Sequence, residues 1–544
     1  MTDGPLIVQS DHTLLLEIDH PQAQECRREI AVFAELERSP EHVHTYRLTK
    51  LGLWNARAAG HDAEAIVDTL VRFSRFPVSP ALLLDVTDTV SRYGRLELHN
   101  HPAHGLVLVS HDRAVLTEVQ RHKKTAGMLG AQIDEDTVVV HPSERGRLKQ
   151  ALLAIGWPAE DLAGYVDGEQ HPIALRQEGW ELREYQQQAA ENVFHGGSGV
   201  VVLPCGAGKT IVGAATMAMA GATTLILVTN TVAARQWRDE LLARTSLTAE
   251  EIGEYSGEVK EIRPVTIATY QILTAKRKGV YAHLELFDAR NWGLIIYDEV
   301  HLLPAPVFRF TADIQSRRRV GLTATLVRED GRESDVFSLI GPKRFDAPWR
   351  DIEAQGYIAP ADCCEIRVSL PESDRMVYAL AEPEDRYRLA AASPEKTDVV
   401  RRLIAQHADD QVLVIGQYLD QLDDLAADLD APLITGKTPV RERQRLFDEF
   451  RSGDLRVLVV SKVANFSIDL PQARVAIQVS GTFGSRQEEA QRLGRVLRPK
   501  TDGATAHFYT VVTRDTVDAD FAAHRQRFLA EQGYAYRIMD ATDL

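Results

Sequence analysis

Cysteine is scarce in this chain. Four occur in 544 residues: Cys26, Cys205, Cys363 and Cys364. None forms a CxxC pair, which argues against an iron–sulfur cluster or a zinc ribbon. So low a count fits a reducing compartment. Long apolar runs are absent too, and none approaches the ~20 residues that span a bilayer. The opening MTDGPLIVQSDHTLLLEIDH has no basic stretch followed by an apolar one. A cytoplasmic protein without a membrane partner is expected. Positive charge is not in excess: 62 basic residues face 78 acidic ones, a net charge of −16. That excludes a protein that coats nucleic acid by bulk charge. Any such partner must be held in a local basic cleft, with salt-sensitive affinity. Low-complexity tracts are also missing. What is present is 44 % hydrophobic residues, ordinary for a globular protein, and enough chain for about three to five domains.

Short apolar runs alternate with helical stretches over 199–203, 224–228, 265–268, 294–297 and 320–322, and again over 411–415, 433–435, 457–461, 475–479 and 507–511. Such runs predict strands buried on both faces of parallel sheets, so two α/β domains follow one another. Residues 350–399 lack a clean period and read as a hinge with a short helical insertion. Residues 1–80 read as mostly helical, and 81–170 as a small α+β domain.

Four segments carry chemistry. In VVVLPCGAGKT, Leu203, Pro204, Cys205, Gly206, Ala207 and Gly208 form a turn between a strand and a helix. Glycines let backbone N–H groups face a phosphate, and the helix adds its positive end. Lys209 is suited to the β- and γ-phosphates of a nucleotide, and Thr210 to Mg²⁺. Leu203 stands where the general pattern has glycine, and a chance glycine turn is the alternative. In GLIIYDEVH, Asp298 and Glu299 end an apolar strand. Asp298 suits the Mg²⁺ shell, Glu299 an attacking water, and His301 a relay between nucleotide and nucleic acid. A solvated turn is the alternative. GLTAT places Thr323 and Thr325 after another strand, either sensing the γ-phosphate near His301 or simply turning the chain. QRLGRVLR spaces Arg492, Arg495 and Arg498 along neighbouring faces of a helix after Gln491. Arginine fingers of this kind stabilise charge on a transferring phosphoryl group. If domain closure brings them to the nucleotide, hydrolysis is tied to motion. An ordinary basic surface helix is the alternative.

In this order, GxGKT, DEVH, TAT and QRLGRVLR resemble the motifs of superfamily 2 helicases, over about residues 182–512. LREYQ looks like the adenine-recognising segment, with Arg183 and Gln186 as contacts. Thr229, Arg235, Gln236 and Trp237 fall where such helicases touch a DNA strand, as do Thr269 and Tyr270. Lys462 lies in a segment like motif V. LPCGAGKT, DEVH and GLTATLVRED narrow the resemblance to the XPB branch. Arg328, Glu329 and Asp330 look like its RED element, implicated in opening a duplex. No long acidic insertion precedes the motor, which suggests the compact prokaryotic form.

The resemblance implies an α/β fold with two RecA-like parallel-sheet domains in tandem, after small helical and α+β N-terminal domains. The expected divisions are a mostly helical N-terminal domain over 1–80, a damage-recognition-like domain over 81–170, an ATP-binding domain over 175–349, a linker or thumb-like insertion over 350–399 and a helicase C-terminal domain over 400–544. It also implies an ATP- and Mg²⁺-dependent 3′→5′ DNA helicase of DNA repair, acting at single-strand/duplex junctions, with a repair nuclease as partner. A duplex translocase that does not separate strands and a non-enzymatic DNA-binding scaffold are the competing functions. His99, His101 and His104 have a spacing that can hold a metal but lack an evident acidic partner. Arg317, Arg318 and Arg319 suit either phosphate contacts or a solvated surface.

Overall fold

The ten apolar runs that predict parallel strands all become strands, and four further strands join them. The computed structural model describes residues 4–39, 42–204, 206–277, 280–281, 283–315, 317–324, 333–347, 352, 361–461, 473–481, 505–531 and 536–544. The chain divides into two compact units. One comprises Met1–Glu35, Tyr46–Leu203 and Gly208–Asp346, the other Leu36–Thr45, Pro204–Ala207 and Ala347–Leu544.

The first α/β sheet has seven strands: β1 (Ser198–Val202), β2 (Thr224–Val228), β3 (Ile252–Tyr255), β4 (Val265–Thr269), β5 (Leu294–Asp298), β6 (Arg318–Thr323) and β7 (Lys343–Asp346). Their spatial order is β3-β4-β2-β5-β6-β1-β7, and each pairing is parallel. Every residue of β1, β2 and β4 is buried, which is why these strands read as unbroken apolar runs rather than alternating ones.

The second sheet contains β8 (Ala361–Val368), β9 (Val412–Gly416), β10 (Leu433–Ile434), β11 (Val457–Ser461), β12 (Val475–Gln478), β13 (Ala506–Thr513) and β14 (Tyr536–Asp540). Its order, β10-β11-β9-β12-β13-β8-β14, repeats that of the first sheet strand for strand, again with parallel pairings. The repeat corrects one expectation. Residues 350–399 are more than a linker, because β8 lies inside them and pairs with β13 over eight residues. Its sequence ADCCEIRV carries Glu365 and Arg367, which break the apolar run; buried Glu365 accepts a hydrogen bond from Arg367 Nε at 2.7 Å. The helices Glu372–Leu380 and Pro383–Ala391 follow. β8 is the counterpart of β1, yet SLPES follows it where LPCGAGKT follows β1. Of these two equivalent positions, the glycine-rich turn occurs only in the first sheet.

The N-terminal 80 residues hold less helix than expected. Leu6–Val8, Thr13–Glu17, Val43–Leu48 and Ala34–Arg38 form a four-stranded sheet in that order, accompanied by helices Ala23–Ile30, Lys50–Ala58 and Ala63–Phe73. VHTYRL alternates between exposed and buried positions, the period of a half-buried strand. Further on, strands Leu129–Gln132, Thr137–Val140, Gly105–Ser110, Leu96–His101 and Ala159–Asp161 form a five-stranded sheet. His99 pairs with Glu97 at 2.7 Å, and no cluster able to hold a metal occurs among the described residues. Helix Arg145–Ala154 brings two cations onto Asp161: Arg145 Nη2 at 2.6 Å and Lys149 Nζ at 2.8 Å. Burial alone would raise the Asp161 carboxyl, but Lys149 and Arg145 outweigh it and hold it below its ordinary value. Burial holds the Lys149 ammonium at about 8 despite that carboxylate.

Candidate active site

Parallel pairing gathers the motifs at one edge of the first sheet. β6 lies between β1 and β5, with Val202 opposite Thr323 and Asp298 opposite Leu322. The glycine-rich turn, the two carboxylates and the threonine therefore leave the same, carboxyl-terminal edge, where parallel α/β sheets bind ligands. The Leu203 N–H donates to the Thr323 carbonyl at 2.9 Å, extending the ladder into the turn.

The turn is shaped by backbone conformations that favour glycine. Gly206 and Gly208 both have φ near +83°, a region costly for residues with a Cβ. A Cβ on Gly208 would stand 2.4 Å from Gln186 Nε2, so the structure brings Gln186 directly against the turn. Gln186 is buried, and its Oε1 accepts from the Arg183 N–H at 3.1 Å, at the start of helix α1 (Glu184–His195). Helix α2 (Lys209–Ala220) begins at Gly208, which offers no side-chain cap. Its first N–H groups and positive end thus face the turn. Lys209 Nζ lies 3.5 Å from the Leu203 carbonyl and 3.6 Å from Glu299 Oε1.

A regular strand would send Asp298 and Glu299 to opposite faces. Glu299 instead adopts φ 49°, ψ 54°, a left-handed conformation that costs a residue with a side chain about 1–3 kcal/mol. The kink ends β5 and turns Glu299 toward Lys209 and His301, whose Nδ1 is 3.5 Å from Glu299 Oε2. His301 Nδ1 is 2.7 Å from Thr323 Oγ1, and both residues are buried. The expected proximity of His301 and the TAT threonine is therefore present. Burial, and then the neighbouring Glu299, push the Asp298 carboxyl up to about 6. Two crowded carboxylates beside a glycine cradle suit a divalent cation that a nucleotide shares. The residues fit Mg²⁺ on Asp298, with Thr210 at the start of α2.

Other expected site residues fall in less uniform places. Arg235 and Gln236 are exposed on helix α3 (Thr231–Arg244). Thr269 is buried and accepts from the Ile272 N–H at 3.4 Å, capping the short helix Tyr270–Thr274; it presents little surface to a DNA strand. Arg319 is fully buried, its Nε donating to the Leu339 carbonyl at 2.8 Å, so it belongs to the core and not to a phosphate-binding surface. Cys205, Thr325, Arg328, Glu329, Asp330, Lys462, Gln491, Arg492, Arg495 and Arg498 lie outside the described residues. One site residue was assigned elsewhere by motif matching. Trp237, grouped with strand contacts, is buried and donates from Nε1 to Asp298 Oδ2 at 2.9 Å. A buried indole N–H needs an acceptor, and that requirement was the available signal.

The chain is 74 % identical over 544 residues to the DNA 3′-5′ helicase XPB of Kineococcus radiotolerans, covering all of this chain and 98 % of that one. The chain belongs to the XPB helicase family. The DNA 3′-5′ helicase XPB of Mycobacterium tuberculosis is 72 % identical over the same 544 residues, with 99 % of its length covered. The general transcription and DNA repair factor IIH helicase/translocase subunit XPB/SSL2 of Saccharomyces cerevisiae is 29 % identical over 604 residues, covering 98 % of this chain and 72 % of that one. Family models match in three stretches: the ERCC3/RAD25/XPB C-terminal helicase over 352–543, the type III restriction enzyme res subunit over 179–328, and a helicase conserved C-terminal domain over 6–134. Both XPB helicase lobes are present, and the reading of tandem RecA-like α/β domains is borne out. Nucleotide use goes with the family. No helix among the described residues is long and apolar enough to cross a membrane.

Proposed function

We propose that this chain couples ATP hydrolysis to 3′→5′ unwinding of DNA at single-strand/duplex junctions during repair, in the cytoplasm and alongside a nuclease. The observation that supports it most is the convergence of Lys209, Asp298, Glu299 and the His301–Thr323 pair at one sheet edge. In this reading Gly206, Gly208 and the start of α2 receive the phosphates, and Arg183 with Gln186 the base. Lys209 leaves Glu299 for the β- and γ-phosphates, and Glu299 then orients a water for in-line attack. Asp298 and Thr210 would hold Mg²⁺, which would supply charge neutralisation on the phosphates. His301 and Thr323 pass the state of the nucleotide along the sheet edge. Arg492, Arg495 and Arg498 are assigned to the transferring phosphoryl group from their motif alone, and Lys462 and the Arg328–Asp330 element to DNA in the same way.

A second reading, duplex translocation without strand separation, is favoured by the word "translocase" in the name of the yeast relative. One experiment decides. Strand displacement and ATP turnover are measured on 3′- and 5′-tailed DNA and RNA duplexes, with Lys209→Ala as the control. Displacement of the 3′-tailed DNA duplex alone, lost in Lys209→Ala, is expected. DNA-stimulated turnover with no displacement of any duplex refutes the helicase reading and leaves the translocase.

A further inference from the structure

Asp298 is held by more than its own strand. Its Oδ2 accepts the Trp237 indole N–H at 2.9 Å, its Oδ1 accepts the adjacent Glu299 main-chain N–H at 3.1 Å and keeps a second lone pair, and its main-chain carbonyl accepts the Tyr270 hydroxyl at 2.8 Å. Both aromatics are buried, at 2 % and 4 % exposure. The indole has little freedom. A Cβ on Gly213 would lie 2.5 Å from Trp237 Cη2, so the ring is wedged against α2 about one turn beyond Lys209. Trp237 itself rides on α3, one and two residues beyond the exposed Gln236 and Arg235. A single side chain thus touches the helix that starts at the phosphate-binding turn, the carboxylate suited to Mg²⁺, and its own helix with its polar outer face.

We propose that Trp237 is a positioning residue that fixes the Asp298 carboxylate in the orientation that receives Mg²⁺, and that it transmits movement of α3 to that carboxylate when DNA engages Arg235 and Gln236. The inference rests on the nucleotide and DNA reading given above. Its physical basis is that a carboxylate ligand needs one oxygen directed at the metal, and a donor on the other oxygen selects that rotamer. The indole N–H is donor-only and buried, so any shift of α3 drags the carboxylate or leaves two polar groups unpaired. Tyr270 anchors only the main chain of Asp298 and should act more weakly.

The test uses the full chain with Trp237→Phe, which keeps an aromatic ring but removes the N–H. Binding of a fluorescent, non-hydrolysable ATP analogue is titrated against Mg²⁺, and binding of a tailed DNA duplex is measured without nucleotide. Loss of such an outer partner typically lowers metal affinity by about 10–100-fold. The expected result is a Mg²⁺ midpoint raised about tenfold or more, with analogue binding in EDTA and DNA binding unchanged. Stimulation of turnover by DNA should fall by a larger factor than basal turnover. A midpoint within twofold of wild type overturns the proposal. If the Phe variant fails to fold, 3-benzothienylalanine at position 237 keeps the bicyclic shape and replaces the N–H with sulfur, and the same midpoint decides. If the wild-type protein binds the analogue neither with Mg²⁺ nor in EDTA, the nucleotide reading itself fails, independently of any variant; equal binding in both overturns the Mg²⁺ role on which the proposal rests.

Discussion

Replacing Glu299 with glutamine should stop turnover while strengthening nucleotide binding. The substitution is isosteric, so the left-handed turn at Glu299 and the 3.5 Å approach to His301 are retained. What changes is charge. Glu299 Oε1 lies 3.6 Å from Lys209 Nζ, with the two side chains 19 % and 11 % exposed. At that distance the gross attraction is about 4–5 kcal/mol at an effective dielectric constant of about 20. Desolvation offsets most of it, leaving about 1 kcal/mol that phosphates must overcome to recruit Lys209. Glutamine removes this competition, so ATP should bind roughly fivefold more tightly. The same amide cannot accept a proton from water, which costs about 10²–10⁴-fold in kcat, or about 2.7–5.4 kcal/mol at 1.36 kcal/mol per decade. Equilibrium binding of a fluorescent ATP and phosphate release under saturating ATP measure the two effects separately. Turnover within tenfold of wild type would remove Glu299 from the chemistry. A loss of affinity matching the loss of kcat would show that the carboxylate binds ATP and does not act on water.

Three further variants probe other parts of the argument. Asp298→Asn should abolish hydrolysis yet stabilise the ligand-free protein. The folded carboxyl, at about 6, lies above its ordinary value, so stability is lost as pH rises from about 4 through 6, and the amide avoids that loss. A gain of about 1–3 kcal/mol at pH 7.5 that vanishes near pH 4, by urea unfolding, is expected; equal stability at pH 7.5 would contradict the burial argument. Asp161→Asn should cost about 3–5 kcal/mol because it leaves Arg145 and Lys149 buried without their counter-charge. A loss below about 1 kcal/mol would mean that water already screens the cluster. Arg495→Ala should lower kcat by about 10³–10⁵-fold with ATP affinity nearly unchanged, because a finger acts on the transition state; equal losses in both would argue against that role.

Much of the site could be read before folding because phosphate chemistry demands particular residues at local spacing. Gly206, Gly208, Lys209, Asp298 and Glu299 stand out as candidates in that way. The ten buried strands were equally legible, since parallel strands covered on both faces leave continuous apolar runs. Strands with charged residues are harder to read: β8 carries Glu365 and Arg367, and its sequence reads as linker. Its polarity is tolerated because Glu365 is paired with Arg367 in the same strand and with the distant Gln526, a partner that no local window contains. Trp237 escaped for the opposite reason, being credited to a surface by its motif when its indole turns inward.

The amino-acid order alone therefore determined the number of α/β lobes and supplied the candidate residues of the site, because both depend on short-range pattern and on chemistry intrinsic to side chains. Tertiary structure decided which strands are neighbours, that the two sheets share one order, and that Trp237 and Tyr270 converge on Asp298 at the edge that carries the glycine-rich turn. Those are consequences of parallel pairing between segments tens of residues apart, where close approach and buried hydrogen bonding select partners that sequence separation conceals.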